Sequence, residues 1–169
     1  MTLDRRPATG QGSAGGGHRH DVRVYYEDTD AGGVVYYANY LRYAERARTE
    51  FLRSLGVEQE MLRRTQGLAL AVRRCVCDFH RPAHLDDVLT VESALVGQGP
   101  AHLDLNQTIR REALTLVELF VTIVCVRDGR AARIPGPVRA AFAKLESDLP
   151  FSRRKDVVRS PAARGVGAG

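Results

Sequence analysis

The sequence has no apolar run long enough to cross a bilayer as a helix, which takes about 20 residues. Its most apolar stretch, residues 113–126, is shorter and contains Glu118, so it reads as a buried strand. Near the N-terminus, Arg5-Arg6 leads into Gly and Ser rather than an apolar segment, which argues against a secretory or twin-arginine signal. The expectation is a cytoplasmic protein without stable membrane insertion. Cysteine is scarce, with three in 169 residues: Cys75, Cys77 and Cys125. An odd count without metal-type spacing argues against a disulfide framework or a metal site. Cys75 and Cys77 share one face of a strand and read as small core residues. A nucleophilic cysteine would need an activating base or positive field beside it.

A basic surface is also lacking where it would matter. The formal net charge is +5, but residues 1–20 and 147–169 carry all of it. Residues 21–146 hold 17 basic and 17 acidic side chains and are neutral. A neutral domain has no basic face for nucleic acid, so no nucleic-acid partner is expected. Three segments follow. Residues 1–20, with Gly15-Gly16-Gly17 and few apolar side chains, read as a disordered tail; His18 and His20 are counted with it. Residues 21–146 form the folded domain. Residues 147–169 read as a basic, disordered tail.

What the chain does have is concentrated in Glu27-Asp28-Thr29-Asp30-Ala31-Gly32-Gly33-Val34-Val35-Tyr36-Tyr37-Ala38-Asn39-Tyr40. Residues 22–27 alternate, with Val22, Val24 and Tyr26 on one face, and predict a first strand. A helix is expected from Tyr37 or Asn39 to Leu55, with either Asn39 as N-cap or Tyr36 to Ala38 forming the first turn. Tyr40, Ala44, Ala47, Phe51 and Leu55 make its apolar stripe, and Gly56 suits its end. An acid in a loop just before a helix start can place a carboxylate beside free backbone N–H groups. That suits chemistry on a polarised carbonyl, with Asp30 as the candidate.

A second short helix is expected at 58–65, ending at Gly67. Strands are predicted at 68–79, 88–96, 102–110 and 114–127. A bend falls around Pro82 and turns at Gly97-Gln98-Gly99-Pro100 and Asp128-Gly129. Pro135-Gly136-Pro137 should break the chain before a helix at 138–145. Strands joined by short turns imply an antiparallel sheet. One amphipathic helix buries its stripe only if that sheet wraps it. The predicted class is therefore α+β.

Asp28-Thr29-Asp30-Ala31-Gly32-Gly33-Val34-Val35-Tyr36, followed by Asn39-Tyr40, resembles the signature of hotdog-fold acyl-CoA thioesterases. It is most similar to the Tol-Pal-associated group within the 4-hydroxybenzoyl-CoA thioesterase family. Glu45-Arg46-Ala47-Arg48-Thr49-Glu50, the segment from Asp78 to Asp87, and Arg133-Ile134-Pro135 extend the resemblance over residues 21 to about 146. It implies a sheet wrapped around a central helix, a dimer with a continuous sheet that often pairs into a tetramer, and active sites at the dimer interface. The family's catalytic aspartate falls on Asp30. One position departs: Tol-Pal-associated members commonly have histidine at Tyr37, whereas 4-hydroxybenzoyl-CoA enzymes are similar to this chain in having tyrosine.

Thioester hydrolysis needs an activated water or a nucleophile and donors for the developing oxyanion. Asp30 fits as general base or as attacking carboxylate. The backbone N–H groups of Tyr37 and Ala38 are the expected donors. Tyr26 closes the strand before the loop, either orienting Asp30 or substrate or packing in the core. Asp28 reads as a loop-fixing residue. Coenzyme A is part of the substrate, so no separate cofactor is expected, and Arg130 and Arg133 are candidates for its phosphates. The expected activity is hydrolysis of an acyl-CoA ester to a carboxylic acid and free CoA, with acyl-carrier protein as a further possible partner. The alternative is a non-catalytic acyl-CoA or acyl-carrier-protein binding protein. A hotdog dehydratase is disfavoured, because no histidine lies in the loop.

Overall fold

A computed structural model describes residues 17–147; the expected tails at 1–16 and 148–169 lie outside the described residues. Six antiparallel strands form one sheet in the order β1-β3-β4-β5-β2, with β6 on β5. The strands are β1 (Gly17–Arg23), β2 (Leu68–Phe79), β3 (Val88–Gln98), β4 (His102–Arg111), β5 (Leu114–Arg127) and β6 (Arg130–Ala131). Three helices accompany them: α1 (Tyr37–Ser54), α2 (Gln59–Gln66) and α3 (Gly136–Ser147). The predicted α+β class holds, with one face of the sheet curled over α1.

The core comes from that single contact. Helix α1 buries Tyr40, Tyr43, Ala44, Ala47, Phe51 and Leu52. Against them the sheet presents Val91, Leu103, Leu105, Ile109 and Val121, all buried. Alternation along β3 and β4 keeps these on one face and leaves Glu92, Asp104 and Thr108 on the other. One buried polar group joins helix to sheet. Gln107 Nε2 donates to the Ala44 carbonyl at 3.0 Å and to Ser93 Oγ at 2.8 Å. Its Oε1 accepts from Arg48 Nη1 at 2.5 Å, and Arg48 also pairs with Glu45. A buried guanidinium is tolerated only when paired in this way.

Helix α1 ends as its sequence predicts. Gly56 takes φ +74°, its N–H donates to the Arg53 carbonyl, and Val57 N–H donates to that of Leu52. This is a Schellman closure. Of the two expected starts, Tyr37 is the one observed. Tyr36 is the N-cap and makes no side-chain capping bond. Asn39 lies inside the first turn and is buried, so it caps nothing.

Strand β1 also differs. It begins at Gly17, inside the segment expected to be a tail, and ends at Arg23, short of the expected Glu27. Its long partner β3 accounts for the early start, since backbone pairing runs from Gly17↔Ala94 to Arg23↔Val88. His18 turns inward and stacks on Phe51 with ring centroids 5.6 Å apart. After Arg23 the chain leaves the sheet. Val24 N–H bonds the Asp87 carbonyl, and Tyr26–Asp28 form one 3-10 turn. Tyr26 is consequently 82% exposed rather than in the core. Helix α3 starts at Gly136, before the expected Val138, because proline is tolerated in a first helical turn.

Strand β2 stands at the edge of the sheet. It pairs only with β5 among the described residues and is exposed along much of its length, including Val72, Cys75 and Phe79. No helix among the described residues is long and apolar enough to cross a membrane.

His18 generates a pH prediction. Burial, then His20, pushes its pKa below the usual 6.5, with Glu50 opposing, and its Nδ1 is buried without a partner. The unfolded chain therefore binds this proton more readily. The stability from neutral His18 is complete above about pH 6.5 and is lost as pH falls below that value. Thermal melting from pH 7.5 to 5.5 should show a smaller loss for His18→Phe than for the wild type. Equal losses would show that His18 does not contribute.

Candidate active site

The segment from Asp28 to Tyr36 is a tight hairpin-like loop between the 3-10 turn and α1. Thr29 and Val35 bridge across it. Asp30 N–H donates to the Val34 carbonyl at 2.9 Å, and Gly33 N–H to the Asp30 carbonyl at 3.0 Å. Gly33 has φ +74°, a conformation that costs other residues strain. Gly32 N–H donates to Asp30 Oδ1 at 2.8 Å. A Cβ at position 32 would sit 3.1 Å from that oxygen, so glycine leaves the carboxylate its space. Asp30 Oδ2 makes no hydrogen bond among the described residues. The carboxylate opens on a cleft of about 610 Å³ lined by Tyr26, Thr29, Asp30, Ala31, Gly33 and Leu85.

Two sets of hydrogen bonds hold this loop to the rest of the fold. On one side, Val35 N–H bonds the Ala83 carbonyl at 2.9 Å and Val34 bridges His84. Ala83 N–H in turn donates to the Tyr40 hydroxyl at 2.8 Å. Tyr40 is buried, and burial pushes its pKa up. Asp87 steadies the same bend by accepting from His84 N–H at 2.8 Å and from Arg111 at 2.7 Å. On the other side, the Asp28 carbonyl accepts Tyr36 N–H and Asn39 Nδ2, each at 2.9 Å. The buried Asp28 carboxylate takes Tyr25 N–H at 2.9 Å. Asp28 is thus the loop anchor its sequence position suggests. Its neighbour Tyr43 is pushed well above the usual phenol range, by burial first and then by the Asp28 carboxylate.

The sequence-predicted residues divide into two groups. Asp30 and Tyr26 share one cleft, with Tyr26 on its rim. Tyr37 and Ala38 open α1, and their N–H groups have no acceptor among the described residues. The Tyr37 ring is exposed, lies 4.6 Å from that of Tyr36 and meets the edge of Phe79 at 6.4 Å. Arg130 and Arg133 are not with this group. They follow the β5–β6 turn, which lies beside Leu68 at the start of β2. The Asp30 loop sits by the bend after Phe79, where His80 bonds Leu116 near the start of β5. At ~3.3 Å per residue, Leu116 and Arg127 are about 36 Å apart along β5.

Other candidate chemistry is absent from the loop. His80 pairs with Glu118 at 2.9 Å, and His102 lies 3.8 Å from Asp104. Cys75 and Cys77 are not the core residues expected, being exposed and half-buried on β2; partial desolvation of the thiols still raises the pKa of Cys75 and pushes Cys77 up to about 11, so both stay protonated at neutral pH, unlike activated nucleophiles. Among the described residues no group of three or more His, Cys, Asp or Glu side chains could hold a metal ion. Sequence reasoning missed the contributions of Tyr40 and Asn39 to the site. Tyr40 was legible only as part of an apolar stripe, and its hydroxyl partner is 43 residues away.

Helix, wrapping sheet and acid loop together define a hotdog-fold protein. Residues 24–142 match the thioesterase-like superfamily, and the chain belongs to that superfamily. It is 43% identical over 132 residues to the acyl-CoA thioesterase YbgC of Haemophilus influenzae, covering 77% of this chain and 97% of that one. A crystal structure of a probable thioesterase from Bartonella henselae is similar, with TM-score 0.68 and 35% identity over 70% of this chain and 99% of the other. So is Slr0204, a 1,4-dihydroxy-2-naphthoyl-CoA thioesterase from Synechocystis, with TM-score 0.72, 25% identity and 77% and 98% coverage.

Tyr40→Phe should test the anchoring of the bend. It keeps the ring and leaves the buried Ala83 N–H without its acceptor, a loss worth about 1–3 kcal/mol. Urea unfolding should show a midpoint shifted down accordingly. An unchanged midpoint would mean that the bond to Ala83 carries no net stability.

Proposed function

We propose that this protein is an acyl-CoA thioester hydrolase in which Asp30 supplies the reacting carboxylate. The observation that carries this is the Asp30 carboxylate, with one oxygen free, in an open cleft on the loop that enters the donor-bearing start of α1. The superfamily and the acyl-CoA thioesterase relative support the same chemistry.

In the general-base route, Asp30 takes a proton from water as the water attacks the thioester carbonyl. In the nucleophilic route, Asp30 attacks and water then cleaves the mixed anhydride. Either way the carbonyl oxygen becomes an oxyanion, which accepts hydrogen bonds from Tyr37 and Ala38 N–H at the positive end of α1. Its collapse breaks the C–S bond and expels CoA thiolate, leaving the carboxylic acid in the first route and the Asp30 anhydride in the second, which water then cleaves to the acid and free Asp30; the proton taken from water ends on the thiolate. Tyr26, on the rim of the cleft, orients the substrate or Asp30. The same thioester chemistry extends to acyl-carrier-protein esters, and a water-soluble CoA ester suits a cytoplasmic setting.

The reading includes a homodimer, joined through β2 and able to pair further into a tetramer. Support comes from the long exposed edge of β2. Antiparallel pairing of two such edges would bring the Leu68 end of one copy to the Phe79 end of the other. Arg130 and Arg133 would then serve the Asp30 cleft of the second copy, which answers their distance from the cleft of their own chain.

Thiol release from a panel of aliphatic and aromatic acyl-CoA esters tests the activity. Asp30→Asn should lower kcat by about 10³-fold or more, and equal activity in both proteins would remove Asp30 from the role. Ligand-induced thermal stabilisation with no turnover of any ester would point instead to a binding protein. A single turnover in heavy-oxygen water separates the two routes. General-base catalysis labels the released acid directly, whereas the anhydride route first passes on an Asp30 oxygen.

Co-refolding Asp30→Asn with an Arg130→Ala/Arg133→Ala double variant tests the shared site. If the arginines act across the dimer, half of the sites in mixed dimers are fully wild type and low-KM activity returns. No gain over the separate variants would place the arginines outside the site.

A further inference from the structure

The start of α1 is unusual in what it leaves undone. Helix starts commonly carry Ser, Thr, Asp or Asn at the N-cap, whose side-chain oxygen takes up a first-turn N–H. Here the N-cap is Tyr36 and no side chain caps the turn. Tyr37 and Ala38 therefore keep their N–H groups open, which is what an oxyanion site requires, but the turn loses the bond that would ordinarily hold it.

Asn39 follows directly. Its amide is buried, with 5% of the residue exposed, and it acts as a donor. Asn39 Nδ2 bonds the Asp28 carbonyl at 2.9 Å, the oxygen that also receives Tyr36 N–H at 2.9 Å. The two bonds flank Tyr37 and Ala38 in sequence and converge on one atom. Asp28 lies two residues before Asp30, in the same short loop. This fork therefore joins the peptide that presents the carboxylate to the turn that presents the donors. The second anchor, Tyr40 on Ala83, ties α1 to the bend at 80–87 and does not reach Asp28.

We infer that Asn39 is a positioning residue that fixes the Tyr37 and Ala38 N–H groups relative to Asp30 through the Asp28 carbonyl. This rests on the thioesterase reading above. Asn39 touches neither substrate nor the reacting atoms. Its loss lets the first turn shift, and a misplacement of about 1 Å at a reacting centre can cost ~10²-fold in rate. Substrate affinity, set by other contacts, should change little.

Two variants and two readouts test this, each assayed well below the melting temperature of the protein concerned. Asn39→Ala removes the donor. Asn39→Asp keeps the shape but faces the Asp28 carbonyl with a carboxylate, which becomes a donor only when protonated. At pH 8 both should lower kcat by about 10–100-fold, with KM within about threefold of wild type. As pH falls from 8 to 5.5, the activity of Asn39→Asp relative to wild type should climb, while that of Asn39→Ala stays flat. Taking the ratio to wild type cancels the titration of Asp30.

A kcat within twofold of wild type for Asn39→Ala, or the same pH dependence for both variants, would overturn the inference while leaving Asp30 in place. If the wild type cleaves no thioester, or if Asp30→Asn is as active as wild type, the parent reading fails and the inference with it.

Discussion

The structure depends on burying one face of α1 against one face of the sheet. Helix α2 buries no residue, and α3 adds only Val138 and Phe142 to the same core among its described side chains. Each large side chain fully buried contributes about 1.5–3 kcal/mol, and Tyr43 and Phe51 from the helix meet Val91, Leu103 and Ile109 from the strands in a single cluster. Packing the 18-residue helix, about 27 Å long, across the sheet also sets where its two ends lie. The start of α1 falls at the bend end of the sheet, beside Ala83. Its end falls by the beginning of β1, where Phe51 meets His18 and Phe142. The position of the site follows from that packing.

Polar groups then select one arrangement from those the apolar contact allows. The Arg48–Gln107–Ser93 set permits little sliding of α1, because displacement would strand a buried amide and a buried charge. At the start of the helix, the Asp28 carbonyl and the Tyr40 hydroxyl do the same for the loop. The candidate site is therefore built on one rigid helix and two backbone anchors, while Asp30 itself remains exposed on a four-residue turn closed by Gly33 N–H on the Asp30 carbonyl. A carboxylate in open solvent can bring water or substrate to a fixed donor set only if the loop beneath it does not move.

Much of this was legible in the residues. The 3.6-residue stripe marked α1, alternation marked the strands, and the acid-and-glycine loop marked the candidate site and the superfamily to which the chain belongs. What failed did so where a distant partner overrode a local signal. Residues 17–20 look like tail, yet β3 extends far enough to pair with them. Tyr26 continues the alternation of a strand, yet the chain leaves the sheet at Arg23 and exposes it. Asn39 has the composition of a cap, yet the helix begins two residues earlier and turns its amide to other use. Arg130 and Arg133 carry the chemistry for phosphates, and the length of β5 separates them from the Asp30 cleft of their own chain, a separation that no local pattern shows.

The sequence by itself determined most of the elements and marked the candidate acid. Side-chain periodicity selects helix or strand over short spans, and Asp30 is the acid nearest Gly32-Gly33 in the loop that leads into the long helix. Tertiary structure alone decided which groups face that acid. The Asp28 carbonyl meets Asn39, Ala83 meets Tyr40 from 43 positions away, and the two ends of β5 separate because a strand is nearly straight and rigid over its length. These relations depend on how the sheet closes over α1, a long-range packing outcome that no local pattern of residues encodes.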